Sequence, residues 1–97
     1  MRSYQRGYTL ELKAVKELRE AGYIAVRTAG SRGPFDIIAL GPSGVRLIQV
    51  KRVSRQSFVT LLKEAKKELE QVPSLYGVSR EVWFWEAGKG WVVKELV

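Results

Sequence analysis

Asp36, Gln49 and Lys51 are the residues of this 97-residue chain whose types and spacing can do chemistry. Asp36 is the sole aspartate. It follows Gly33-Pro34-Phe35 and opens an apolar run, Ile37-Ile38-Ala39-Leu40. Read alone, it either caps the preceding loop or is a carboxylate held toward a site. Alternation along a strand over 45–51 places Val45, Leu47, Gln49 and Lys51 on one face, and Arg46, Ile48 and Val50 on the other. The turn Gly41-Pro42-Ser43-Gly44 joins the two runs as an antiparallel hairpin. Asp36 therefore falls at the open end, beside Gln49 and Lys51. Phosphodiester hydrolysis asks for such a set. Oxygen ligands hold a divalent metal that polarises the phosphoryl oxygen and activates water. An ammonium orients the water or stabilises charge developing on the phosphate. Singly, Lys51 reads as a solvated strand end and Gln49 as a half-buried polar residue; their joint placement carries the argument.

Glu11 is a fourth candidate. At about 100° per residue from Leu10, Leu18 falls near 80°, Val15 near 140° and Glu11 near 100°. Glu11 thus points into the core-facing side of its helix. A carboxylate there needs a partner or a metal. The plainer reading is an acid in the first turn that complements the helix dipole.

These residues need elements to hold them. Residues 1–8 read as a basic arm, with a helix starting at Thr9 as N-cap, running to about Ala21 and ending at Gly22. Leu10, Ala14, Leu18 and Ala21 form its apolar stripe. Strands follow at 23–27, 35–40 and 45–51, with a loop over 28–34 and a basic loop over 52–56. A second helix spans about 57–71, its period carried by Leu62, Ala65, Leu69 and Val72, and Pro73 ends it. Strands at 81–86 and 90–96 close the chain. The order α-β-β-β-α-β-β predicts one α/β (α+β) domain over 1–97, a mixed sheet flanked by helices.

Composition limits the partners. There is no cysteine and no histidine, so a metal would sit on oxygen ligands; that points to Mg²⁺, with Mn²⁺ as a substitute. Lys and Arg exceed Asp and Glu by 17 to 10, a net charge of +7, which attracts polyanions. The basic residues are spread over loops and mixed helices, which favours nucleic acid over a membrane surface. No apolar run spans a bilayer and no signal peptide is visible, so a soluble, cytoplasmic protein is expected. Arg27, Arg32, Arg52 and Arg55 flank the proposed site and suit phosphate contacts. No base-reading helix is evident, so DNA shape is the expected basis of recognition. The aromatic strand Trp83-Phe84-Trp85 reads as a strand packed on both faces, with a dimer interface or base stacking as alternatives.

The pattern resembles the PD-(D/E)xK nucleases, and within them the archaeal-type Holliday junction resolvases and their phage or viral relatives. Glu11 in Thr9-Leu-Glu-Leu, the stretch from Arg27 through Gly33-Pro34-Phe35-Asp36-Ile37-Ile38-Ala39, and Leu47-Ile48-Gln49-Val50-Lys51 carry the likeness. It continues weakly into 57–71 and Val82-Trp83-Phe84-Trp85. The resemblance implies a restriction-endonuclease-like fold, with Glu11 and Asp36 as metal-linked acids and Lys51 as the catalytic lysine. It implies that Ser31 touches the scissile region and that Arg27 and Arg32 contact phosphates. It also implies a homodimer that cuts branched DNA symmetrically. Two departures stand out. Phe35 separates Pro34 from Asp36, and Gln49 occupies the usual place of an acid, so the site loses one negative charge. Glutamine occurs at this place in related nucleases, including the Mrr-type group. Three other readings follow: a DNA-binding protein of the same fold without catalysis, a restriction- or repair-type nuclease of the same superfamily, and a basic subunit of a larger nucleoprotein.

Overall fold

The computed structural model describes residues 2–28, 33–53 and 58–97, with side chains from Tyr8 onward. Its elements are α1 (Arg2–Glu20), β1 (Ile24–Arg27), β2 (Ile37–Gly41), β3 (Gly44–Val53), α2 (Phe58–Leu69), β4 (Val78–Glu86) and β5 (Gly90–Leu96). The expected order holds. The five strands form one mixed sheet in sequence order. All neighbours are antiparallel except β3 and β4. A parallel pair needs a crossover connection, and α2 provides it.

Two helices cover the sheet, one on each face. Leu10, Ala14, Val15 and Leu18 of α1 pack on Ala25, Ile37, Ala39, Ile48, Val50 and Trp83. Leu61, Ala65 and Leu69 of α2 pack on Val82 and Phe84. Trp83 and Phe84 are thus both fully buried, on opposite faces of β4. That is the pattern of a strand covered on both sides, and it removes Trp83 from any base-stacking role.

The first helix departs from the sequence reading. The expected arm over 1–8 is helical from Arg2, and Thr9 lies inside the helix rather than capping it. The segment has no proline, and its arginines and glutamine are good helix formers. Gly7 is tolerated there because one glycine costs only about 1 kcal/mol in a helix interior. The earlier start puts Glu11 at mid-helix, and no acid lies in the first turn. The helix-dipole reading of Glu11 therefore falls away. The C-terminal end is as expected. Gly22 adopts φ 97°, Tyr23 N–H donates to Leu18 O and Gly22 N–H to Arg19 O, each at 3.0 Å. This is a Schellman arrangement, and it leaves Ala21 exposed outside the buried stripe. In α2 the buried position is Leu61, with Leu62 only partly buried.

The strands run longer than periodicity suggests where tertiary pairing extends them. The β3 strand continues to Val53 because β4 pairs with it through Val53↔Glu86. At the hairpin end, Val45 N–H donates to Gly77 O at 2.8 Å. A Cβ at Gly44 would meet Gly77 O at 2.1 Å, and Gly44 also has φ 127°, so this approach requires glycine.

Candidate active site

At the opposite end of the sheet, three elements converge around Asp36. Its N–H donates to Ile48 O at 2.8 Å, and Thr28 N–H donates to Asp36 O at 2.9 Å. The residue is therefore paired on both sides just before β2 begins. Its Oδ2 accepts from Val50 N–H at 2.9 Å, which fixes the carboxylate against β3. The carboxyl is held above the ordinary aspartate range. Burial is the main cause; the Val50 bond opposes it, Glu11 adds to it, Lys51 opposes it and Glu68 adds to it. Asp36 thus feels two other carboxylates and one ammonium.

Gln49 and Lys51 share a face of β3 with Val82 and Phe84 of β4, the face that α2 covers. Gln49 is buried, at 6% exposure. Its Nε2 donates to Pro34 O at 3.0 Å and to Glu68 Oε1 at 2.7 Å. Its Oε1 is buried and has no hydrogen-bond partner among the described residues. Lys51 Nζ lies 3.6 Å from the same Glu68 Oε1.

Glu68 is the member that the sequence reading missed. It projects from α2 and touches both Gln49 and Lys51. A signal was present: at about 100° per residue it falls roughly 20° from Leu61 on the helical wheel, at the rim of the stripe formed by Leu61, Ala65 and Leu69. Its side chain is also 49% exposed, so its charge reads as part of the solvated face.

Glu11 is brought to the same end from the other layer. It is buried, at 6% exposure, as the helical wheel required. Its Oε1 accepts from Arg27 Nε at 2.8 Å, and its charge reaches Asp36. The structure therefore joins Gln49, Lys51 and Glu68 by direct contacts, sets Asp36 within electrostatic reach of Lys51 and Glu68, and places Glu11, paired with Arg27, within electrostatic reach of Asp36. Arg27 is also stacked at 4.3 Å on the Tyr8 ring. Arg52 is half-buried in the last part of β3. Ser31, Arg32 and Arg55 lie outside the described residues.

The donor set fits a hard divalent cation. Asp36 offers a carboxylate whose charge is already opposed by burial and neighbouring acids, a condition that a cation relieves. Gln49 offers a buried carbonyl oxygen with no donor on it among the described residues. Oxygen donors of this kind suit Mg²⁺ or Mn²⁺. Among the described residues no three of Asp, Glu, His or Cys are grouped to hold a metal; a carboxamide occupies one position of the set.

A mixed sheet between two helices, with an aspartate and an x-Lys strand meeting at one end, defines the restriction-endonuclease-like PD-(D/E)xK class. The chain belongs to the archaeal Holliday junction resolvase (Hjc) family, whose model matches residues 2–83. It is similar in structure to Hjc of Archaeoglobus fulgidus, described as a Holliday junction resolvase from an archaeal hyperthermophile. The TM-score is 0.63 and the identity 25%, over 86% of this chain and 70% of that one. No curated protein matches the chain significantly. None of its described helices is long and apolar enough to cross a membrane.

Proposed function

We propose that this chain is a divalent-metal-dependent endonuclease that resolves four-way DNA junctions as a homodimer. The observation that carries this reading is that Asp36, Lys51 and a Gln49 Oε1 without a partner among the described residues lie at one end of the sheet. Asp36 and Gln49 would hold Mg²⁺, or Mn²⁺ in its place. The metal would polarise the scissile phosphate and activate water. Lys51 Nζ orients the attacking water or stabilises charge on the phosphate. Glu11 acts behind Asp36, by its charge. Arg52, and Arg32, Arg55 and Ser31 beyond the described residues, serve as DNA contacts, and the charge of +7 draws the chain to the backbone. Arg27 joins them only to the extent that its guanidinium reaches beyond Glu11.

Homodimer formation is supported by an uncovered apolar surface. Ile24 and Val26 of β1 pair with Leu40 and Ile38 of β2. Ile24, Val26 and Leu40 are 69%, 48% and 45% exposed. They lie on the sheet face that α2 covers only farther along, over β3 and β4, and contiguous exposed patches of this kind mark association surfaces.

The test is cleavage of a synthetic four-way junction in Mg²⁺ and in Mn²⁺, with linear duplex as control and Lys51→Ala alongside. The reading expects junction cleavage that Lys51→Ala lowers by roughly 100- to 1000-fold while junction binding persists. Equal cutting of both substrates would favour a restriction- or repair-type nuclease. One observation favours a second reading, a DNA-binding protein without turnover: the third strand presents neutral Gln49 where an acid is usual. Junction binding with no cleavage in either metal would support it.

A further inference from the structure

The Gln49 carboxamide has a donor end and an acceptor end, and the fold holds one of them. Nε2 donates to Pro34 O and to Glu68 Oε1. Both partners are acceptors, so turning the amide over would set oxygen against oxygen at two places. The orientation shown is therefore imposed. It leaves Oε1 buried with no donor among the described residues. A buried acceptor in that state is destabilising unless something else occupies it. With the donor end outward, the same side chain would repel a cation.

We propose that Glu68 is a positioning residue for metal binding: it clamps the Gln49 amide so that Oε1, not the NH₂ group, is left for a divalent cation beside Asp36. The carboxylate that the third strand lacks is thereby supplied from α2, one hydrogen bond away. Lys51, 3.6 Å from the same Glu68 oxygen, is held by the same group. The proposal rests on the metal-dependent reading above and deepens it.

The experiment is titration of the DNA-free protein with Mn²⁺ by calorimetry, with thermal melting as a check of folding. Glu68→Ala is expected to weaken Mn²⁺ binding roughly 10- to 100-fold, as removal of an outer partner of a ligand does. Glu68→Gln keeps a carbonyl that accepts the same bond, so its binding stays near wild type. Glu64→Ala removes an equal charge from an exposed site on the same helix and leaves binding unchanged. Equal binding by wild type and Glu68→Ala would overturn the clamp. So would a loss in Glu68→Gln as large as in Glu68→Ala, which would mark the charge itself as the contributor. A second pair of variants guards against misfolding of the alanine form. Gln49→Glu alone sets two carboxylates against each other, whereas Gln49→Glu with Glu68→Gln reverses that pair and keeps its bond; the oxygen set against Pro34 O is common to both variants. The reversed pair is expected to bind Mn²⁺ more tightly than Gln49→Glu alone; equal binding overturns the clamp. Wild type that binds no Mn²⁺ would remove the metal-dependent reading itself, and the proposal with it.

Discussion

Arg27 Nε donates to Glu11 Oε1 at 2.8 Å, and this ion pair ties β1 to α1 at the end of the sheet where Asp36 lies. Glu11 is nearly enclosed, with 8% of its side chain exposed, and Arg27 is 24% exposed. Removing the arginine leaves a buried carboxylate without its donor. Arg27→Ala should lower stability by roughly 2 kcal/mol, the range for an orphaned buried group, as read by urea unfolding. The double variant with Glu11→Gln should lose less. Unchanged stability together with a marked fall in junction affinity would instead make Arg27 chiefly a phosphate ligand.

Asp36 has a pH signature of unusual sign. Its folded-state pKa is raised, mainly by burial. The folded protein therefore binds this proton more readily than the unfolded chain does, and stability falls as pH rises through the window between the two values. Asp36→Asn keeps an oxygen for Val50 N–H and removes the charge. In the absence of metal it should be more stable than wild type at neutral pH, with the gap closing below the ordinary aspartate value. Urea unfolding at several pH values measures this. Metal binding by wild type should weaken as pH falls through the raised value, because the protonated carboxyl is a poor ligand.

Glu81 carries the opposite sign. Burial alone would raise its pKa. Hydrogen bonds from Arg46 at 2.7 and 2.8 Å, Trp83 Nε1 at 3.1 Å and Ser79 Oγ at 2.9 Å outweigh that and hold it below the ordinary glutamate value. Its stabilisation is present above the ordinary glutamate value and is lost as pH falls through the depressed one. Glu81→Gln should therefore flatten the acid limb of the stability profile. Arg46→Ala should cost about 3 kcal/mol or more, since it strands a carboxylate that is 5% exposed. Arg46, which in the sequence could pass for a generic solubilising charge, is a structural residue.

The uncovered face of β1 and β2 predicts the effect of a surface change. Val26→Lys places a charge in the middle of Ile24, Ile38 and Leu40. If this face joins two copies, sedimentation velocity should show a dimer for wild type and a monomer for the variant. Folding stability of the separated chain should move by only about 0.5 kcal/mol, as for other exposed substitutions. A dimer that survives Val26→Lys would place the contact elsewhere.

What the sequence by itself determined is what local periodicity controls. Alternation along β3 put Gln49 and Lys51 on one face, and the Gly41–Gly44 turn set Asp36 at the open end beside them. The helical wheel turned Glu11 inward. Each follows from backbone geometry that neighbouring residues impose. The start of α1 was not legible, because Thr9 is as good a cap as any and intrinsic preference is a weak guide. Tertiary structure alone decided the partners. The crossover from β3 to β4 lays α2 on the sheet and brings Glu68 to Gln49 across 19 residues. Packing of α1 on β1 gives Glu11 to Arg27 across 16. Such pairings depend on how layers stack, which no window of sequence contains. Asp36, Gln49 and Lys51 could thus be located from the sequence, while the charges that surround them arise only when the layers close.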